Sequence, residues 1–346
     1  MDFYNYLVQW YLNNKRDLPW RKTKNPYNIW LSEIILQQTR VEQGLSYYLK
    51  FINTYPTVKS LANASEEEVL KLWQGLGYYS RARNLHQSAK HISFNLNNKF
   101  PTTFKGLLDL KGVGDYTASA IASICYNLPY AVVDGNVYRV LSRYFGIETP
   151  INSSEGIKQF KNLAQQLIIT SKPGTYNQAI MDFGALHCKP KNPKCEACGL
   201  QHKCIAYQTN TVGKLPFKKG KTKVTKRYFN YLVPIDANGL TVLHKRENGI
   251  WKNLYQFPLI ETTKGVSKKN IIEDEVFKEL IKNQNFNLKL YNNNFIVHKL
   301  SHQHIFTKFW LLKVDTILSE SILWSDVEKF PVPKLIDNFL RDYKSR

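Results

Sequence analysis

Four of the five cysteines in this chain, Cys188, Cys195, Cys198 and Cys204, crowd into one short stretch, separated by six, two and five residues, while Cys125 stands alone. The opening MDFYNYLVQW has neither a basic segment before an apolar core nor a small-residue cleavage site, so the chain is expected to stay in the cytoplasm. In that compartment a tight cysteine set reads as a metal site before it reads as a disulfide framework. Four thiolates suit structural zinc or an iron-sulfur cluster, and the residue types leave both open. Either would pin the loop that carries them.

The formal charge of +21, from 48 Lys and Arg against 27 Asp and Glu, attracts polyanions such as nucleic acid or an anionic membrane surface. No run approaches the roughly 18 apolar residues of a spanning helix, which argues against a membrane protein. At 346 residues the expectation is two domains. Residues 1–208 read as mostly helical. The stretch IWLSEIILQQTRVEQGLSYYLKFI has helical periodicity, with Ile34, Leu45, Tyr48 and Ile52 among its apolar positions, and ends at Tyr55-Pro56. SEEEVLKLWQGL offers Ser65 as a cap with three glutamates behind it, and TASAIASICYN reads as a further helix. Residues 211–227, TVGKLPFKKGKTKVTKR, carry seven Lys or Arg and no acid, so residues 209–227 are expected to be an exposed basic linker. Beyond it, YFNYLVPID, an Asn238-Gly239 turn, LTVLHKRE, NFIVHKLS and IFTKFWLLKVD read as strands around one helical run, NIIEDEVFKELIKN. Residues 228–346 are therefore expected to form an α+β domain.

Within the first domain, LKGVGDYTASA places Gly112 and Gly114 around Val113 between two helical patterns. Glycine permits a tight turn and close approach of backbone amides, and amides opening a helix are natural phosphate ligands. A plain helix-helix turn is the alternative. Asp134, in AVVDGNVYRVLSR, stands where an ordinary helix cap would also stand.

Taken together, LKGVGDYTA and VVDGNVYRV resemble the signature of the helix-hairpin-helix base-excision DNA glycosylases, a hairpin at about residues 107–120 followed by an aspartate. The resemblance implies that Asp134 faces the pocket and stabilises the sugar as the base departs. The cysteine intervals resemble those of the endonuclease III and adenine glycosylase families, which implies one [4Fe-4S] cluster on Cys188, Cys195, Cys198 and Cys204 in the loop 188–204, with zinc as the alternative. WLSEIILQQTRV resembles the adenine glycosylase (MutY) motif, whose glutamate falls on Glu33. Helical spacing would bring Gln37 to the same face, so an acid and an amide could share a pocket, and the Gln37-Gln38-Thr39 turn is implied to meet DNA. Tyr116 stands where lyase-type relatives carry a lysine; without an amine there is no Schiff base, so a monofunctional enzyme is implied.

WQGLGYYSRARNL resembles the family's wedge loop, with Leu76 and Gly77 framing Tyr78, the side chain that enters the base stack. Core packing of Tyr78 and Tyr79 is the alternative. In the second domain, NGIWKNLYQFPL resembles a segment of the Nudix-like domain of adenine glycosylases, while GVSKKNIIEDEVFKEL lacks the Arg-Glu arrangement of a working pyrophosphatase. VHKLSHQHIF resembles the family's Phe-Ser-His segment, with Leu300 in place of the phenylalanine, which implies Ser301 and His302 as readers of 8-oxoguanine. The implied protein is a monomeric, DNA-associated adenine glycosylase acting on duplex DNA with A:8-oxoguanine or A:G mispairs. Glu33 would be the general acid, Asp134 the anion facing the oxocarbenium ion, and Tyr116 a hydrogen-bonding neighbour. A lyase, a mismatch thymine glycosylase and a catalytically silent DNA-binding protein are the rivals. Tyr116 argues against the first, the Glu33 motif and second domain against the second, and the pairing of Glu33 with Asp134 against the third.

Overall fold

The computed structural model describes residues 2–220, 223–282, 284–317 and 320–345. Its contacts define two compact units, and the division departs from a linear cut at residue 208. Residues 1–63 and 84–220 form the first unit, and residues 64–83 join residues 221–346 in the second. Among the described residues no helix is long and apolar enough to cross a membrane.

The first unit is helical. Its core gathers around the helix Pro173–Leu186, which packs on the helices Phe3–Asn14, Gly135–Phe145 and Asp115–Tyr126. Leu7, Val137, Leu141, Phe160, Ala179 and Ile180 fill the space between them. Local chemistry sets the helix starts: Asp2 accepts from the Asn5 amide at 2.7 Å, and Asn25 caps a helix whose first residue is Pro26.

The stretch expected as one helix from Ile29 to Ile52 is two, Pro26–Leu36 and Val41–Thr54. Gln38 takes φ +55° in the turn between them, and the Thr39 amide closes back on the Leu36 carbonyl at 3.1 Å. The periodicity runs on across the break because both helices bury an apolar face, Ile34 and Ile35 on one and Tyr48 and Phe51 on the other.

The basic linker is less exposed than its charge suggests. Leu215 is buried, its carbonyl accepts from Arg143 Nε at 3.2 Å, and Asn152 brackets the backbone of Lys219 with two hydrogen bonds of 2.8 Å. One apolar residue among lysines is enough to dock a segment whose average composition reads as solvated. Lys221 and Thr222 lie outside the described residues.

The second unit is α+β. Its mixed sheet runs in the order Leu259–Thr262, Thr225–Ile235, Gln303–Val314, Phe286–Leu290, and Ile296–Lys299 also pairs with Gln303–Val314. Thr225–Ile235 and Gln303–Val314 are parallel, and the other pairs in this sheet are antiparallel. Leu232, Ile260, Phe277, Trp310 and Leu312 form its core. The Asn238-Gly239 turn is present, with Gly239 at φ +74°. The run after it yields only Leu240–Thr241 and His244–Lys245, paired with Ile322–Leu323 and Tyr255–Gln256 rather than with a long hairpin partner. The expected helix NIIEDEVFKELIKN is likewise two, Lys268–Glu273 and Glu275–Ile281, because Asp274 leaves the helical conformation to cap the second through the Val276 amide. The break also prevents the surrounding acids from lining one continuous helix face.

Candidate active site

The helix Pro26–Leu36 is apolar nearly all round, with Ile29, Trp30, Leu31, Ile34 and Ile35 buried, so the one carboxylate it carries is taken into the interior. Glu33 is 9% exposed and shares a pocket with Tyr116 and Asp134. Burial raises its pKa to about 7; a hydrogen bond from Tyr116 and the charge of Arg21 oppose the rise, and the charge of Asp134 adds to it. Tyr116 is pushed well above the ordinary phenol range by burial and by the two carboxylates, so it remains a hydroxyl donor. The same hydroxyl lies 3.2 Å from Met181 Sδ.

Asp134 is both the cap and the pocket acid that the sequence offered as alternatives. It opens the helix Gly135–Phe145 and accepts from the Asn136 amide at 2.9 Å, the Val137 amide at 2.8 Å and Asn136 Nδ2 at 2.7 Å. Burial still leaves its pKa above the usual aspartate value, with those donors and Arg139 pulling the other way. The pocket therefore holds two carboxylates in different settings: burial raises Glu33 to about 7, whereas the amides of Asn136 and Val137 pull Asp134 back toward its ionised form.

Part of the pocket wall was not singled out from the sequence. Asp182, on the helix Pro173–Leu186, is buried and gripped by Arg16 Nη2 at 2.6 Å and by Arg21 through both terminal nitrogens. Burial alone would raise Asp182, but Arg21 and Arg16 outweigh it and hold its carboxyl below the usual range. The only sequence signal is an acid in the otherwise apolar AIMDFGAL; nothing local links it to arginines some 160 residues earlier.

The expected sharing of a pocket by Glu33 and Gln37 does not occur. The helix ends at Leu36, and the Gln37 amide turns toward the hairpin, 3.3 Å from Thr117 Oγ1 and 3.4 Å from the Gly112 carbonyl. Thr39 lines the Glu33 pocket instead, and Gln38 is exposed in the turn. The hairpin joins Phe104–Leu108 to Asp115–Tyr126. Gly112 sits at φ +78°, and a Cβ there would come within 2.8 Å of Asn84 Cβ, so this position requires glycine twice over. Val113 is buried and anchors the turn. Gly114 opens the second helix with no side-chain cap and with open space where a Cβ would stand.

Cys188, Cys195, Cys198 and Cys204 line one pocket beside Arg143, Val140 and Leu200. Arg143, itself buried, places Nη1 3.4 Å from Cys188 Sγ and 2.7 Å from the Lys189 carbonyl. Backbone amides of Leu200 and Tyr207 point at the sulfurs of Cys198 and Cys204. Four thiols around a shared pocket, with N–H donors aimed at two of them, have the chemistry of a site for a thiolate-bound metal group. Cys125 is elsewhere, its thiol pushed up to about 12 by burial and by the charge of Glu33.

Within the second unit, Leu76, Gly77 and Tyr78 form a loop in which Gly77 takes φ +76° and Tyr78 φ +47°. Arg81 supports it, donating from Nη2 to the Gly77 carbonyl at 3.1 Å while its guanidinium lies 5.1 Å from the Trp73 ring and 5.6 Å from the Tyr78 ring. The two tyrosines divide: Tyr79 is buried and Tyr78 is 47% exposed. Ser301 and His302 occupy the exposed tip between Ile296–Lys299 and Gln303–Val314, closed by the Leu300 amide on the Gln303 carbonyl at 2.9 Å. Ser301 Oγ and the Tyr78 hydroxyl are 2.5 Å apart.

A sequence profile described as HhH-GPD superfamily base excision DNA repair protein matches residues 31–168. The chain is 38% identical over 283 residues to the adenine DNA glycosylase of Buchnera aphidicola subsp. Schizaphis graminum, spanning 80% of this chain and 82% of that protein. It is 44% identical over 211 residues to the Homo sapiens adenine DNA glycosylase, spanning 58% of this chain and 39% of that protein. Among solved structures, a thermostable thymine-DNA glycosylase matches with TM-score 0.56 and 32% identity, over 60% of this chain and 95% of that one. A trapped endonuclease III–DNA covalent intermediate matches with TM-score 0.52 and 21% identity over 60% and 94%, a likeness of fold alone.

Proposed function

Because the chain belongs to the adenine DNA glycosylase (MutY) family and is an adenine DNA glycosylase of base excision repair, we propose that its substrate is adenine opposite 8-oxoguanine or guanine in duplex DNA, released by hydrolysis without strand cleavage. The observation that carries the reading is the pocket in which Glu33, Tyr116 and Asp134 meet.

Breaking the N-glycosidic bond leaves electron density on adenine and positive charge on deoxyribose. Glu33, still protonated near neutral pH, donates its proton to a ring nitrogen of the departing adenine and afterwards assists water. Asp134, held by the amides of Asn136 and Val137, faces the oxocarbenium ion as an anion. Tyr116 donates its hydroxyl to Glu33 and orients it. The chain has no lysine at this position, so hydrolysis rather than Schiff-base chemistry follows.

The amides around Gly112, Val113 and Gly114 would bind a backbone phosphate at the open start of the helix Asp115–Tyr126. The Gln37-Gln38-Thr39 turn would add a further DNA contact from the first unit. Tyr78, flanked by Leu76 and Gly77, would enter the base stack, and Ser301 and His302 would read the 8-oxoguanine. Cys188, Cys195, Cys198 and Cys204 would hold one [4Fe-4S] cluster; bound there, it supplies a cross-link for residues 188–204 and no part of the hydrolysis. The mixed sheet and flanking helices of the second unit support a Nudix-like reading with a recognition role.

The test is to incubate the protein with duplexes carrying adenine opposite 8-oxoguanine, guanine or thymine and then to treat with alkali. Scission at the adenine only for the first two duplexes, and only after alkali, is expected. Scission before alkali, or, with a T:G duplex assayed in parallel, release of thymine in place of adenine, overturns the proposal. For the cofactor, purified protein should be straw-brown with about four irons per chain, and a colourless folded protein with one zinc overturns the cluster.

A further inference from the structure

Residues 64–83 belong to the second unit because they are bound to it along their whole length. The helix Glu66–Leu72 starts with a capping box between Ser65 and Glu68 and lies against a series of partners from residues 245–337. Glu67 Oε1 accepts from Lys245 Nζ at 2.7 Å and from the Tyr255 hydroxyl at 2.6 Å. Lys71 Nζ reaches the Phe330 carbonyl at 3.0 Å. Gln74, one residue before the glycine that starts the wedge loop, uses both ends of its amide. Its Nε2 donates to Asp337 Oδ1 at 3.0 Å, and its Oε1 accepts from the Val332 amide at 3.1 Å. Asp337 is in turn fixed by Lys334 Nζ at 2.7 Å.

The loop after Gln74 is held from within, the Gly77 carbonyl accepting from Trp73 Nε1 at 3.0 Å and Arg81 Nη2 at 3.1 Å and the Gly75 amide donating to the Tyr79 hydroxyl at 3.2 Å. Gly75, Gly77 and Tyr78 all have positive φ, and the loop ends in a half-exposed tyrosine. The direction of that side chain is set in addition by the anchorage on either side, at Gln74 before it and at the Ser301 contact beyond it. We infer that Gln74, through Asp337 and the Val332 backbone, is a positioning residue that presets the Tyr78 wedge on the second unit, so that wedge and opposite-base reader act as one body assembled from two separate pieces of chain. The inference rests on the reading of Tyr78 as the wedge.

The design of the contact supplies its own control. Gln74→Glu keeps the acceptor for the Val332 amide but sets a second carboxylate against Asp337. Adding Asp337→Asn restores one donor and one acceptor across the same gap. The readout is the fluorescence of 2-aminopurine in the place of the target adenine, opposite guanine, which rises as the base leaves the stack, measured on the full chain beside its affinity for fully paired duplex. Gln74→Glu should reduce the rise about threefold to tenfold, the scale of one or two lost hydrogen bonds, with affinity for paired duplex unchanged, and the double substitution should restore it to within about twofold. An undiminished rise in Gln74→Glu, or a loss that Asp337→Asn does not repair, overturns the inference. Should Gln74→Glu not fold, Gln74→Leu, which removes both hydrogen bonds without adding charge, should show the same loss, and wild-type extrusion there is equally fatal. Tyr78→Ala separates the two levels of argument. If it leaves extrusion intact, the wedge reading fails; if it abolishes extrusion while the Gln74 variants behave as wild type, only the positioning role fails.

Discussion

The proposed catalytic pocket and the proposed wedge-and-reader surface are built on opposite principles. In the first unit, Glu33 is buried with the half-buried Tyr116 and Asp134 beside it, and desolvation is what shifts their proton affinities. In the second, Tyr78, Ser301 and His302 stay exposed, and their placement depends on hydrogen-bonded anchorage rather than on desolvation. A desolvated pair of carboxylates, in the proposed mechanism, would do its chemistry on whatever base enters. An exposed set of hydroxyl and imidazole groups can only compare one opposite base with another. The difference predicts that substitutions in the first region collapse the rate irrespective of the opposite base, and that substitutions in the second change the ratio between duplexes.

The largest expected effect is at Asp134. Asp134→Asn removes the anion but keeps an oxygen acceptor toward the Asn136 and Val137 amides, so the helix start should survive. Single-turnover excision should fall by roughly a thousandfold or more on both A:8-oxoguanine and A:G duplexes, with mismatch binding retained. Retained turnover would remove Asp134 from the chemistry, and a loss confined to one duplex would erase the contrast between the two regions.

Glu33→Gln comes next, with a loss of roughly a hundredfold to ten-thousandfold because an amide supplies no acidic proton. In the wild type, excision should decline as pH rises through about 7, where Glu33 loses its proton. It should also decline in acid as Asp134 gains one, at a pH above the ordinary aspartate range. The pair thus gives a bell whose limbs belong to both groups together. The same shift bears on stability. A carboxyl whose pKa is raised on folding contributes stability that is present below its unfolded value of 4.5 and lost as pH climbs toward about 7. Glu33→Gln should therefore stabilise the fold at pH 8 by up to about 3 kcal/mol and hardly at pH 4. Equal melting shifts at both pH values would mean that Glu33 is not buried as described.

The two regions also differ in how legible they were. Glu33, Asp134 and Tyr116 lie in short motifs whose helices the sequence indicated, and the structure brings all three into one pocket. The Arg16, Arg21 and Asp182 cluster escaped notice because its members are far apart in sequence and each is ordinary alone. Helix breaks at Gln38 and Asp274 were invisible to periodicity, since a left-handed residue or a capping side chain interrupts a helix without disturbing its apolar spacing. The α+β character of the second unit was readable from its strand runs. Its claim on residues 64–83 was not, because SEEEVLKLWQGL is a good local helix whatever it packs against. One practical consequence is that a chain cut after residue 208 keeps Glu33, Tyr116 and Asp134 but strips residues 64–83 of their partners.

The reader residues should show the intermediate effect. Replacing Ser301 and His302 together by alanine removes two exposed polar groups at a hairpin tip closed by backbone hydrogen bonds that do not involve their side chains. The preference for A:8-oxoguanine over A:G should narrow by about 1–3 kcal/mol, the scale of one or two hydrogen bonds, with a smaller loss on A:G from the missing Ser301 contact to Tyr78. If discrimination persists in full, recognition rests with Tyr78 and the Gln37-Gln38-Thr39 turn. If both duplexes suffer equally, the hairpin tip has become part of the catalytic region and the contrast fails.

The smallest effect is expected from the basic segment, which belongs to neither principle. Lys218, Lys219 and Lys223 are exposed, and the backbone of Lys219 is engaged through Asn152. Their side chains can meet phosphates but have no geometry with which to read a base, so they should add affinity that is blind to sequence and sensitive to salt. Changing all three to glutamine should weaken binding to A:8-oxoguanine, A:G and fully paired duplexes by the same factor. The slope of log affinity against log salt should flatten by about 0.9 for each phosphate that is no longer neutralised. Single-turnover rates at saturating enzyme should stay put, because no group in the Glu33 pocket has been touched. A change in the ratio between duplexes would place these lysines with Ser301 and His302 as readers, and an unchanged salt slope would show that they never reach the DNA.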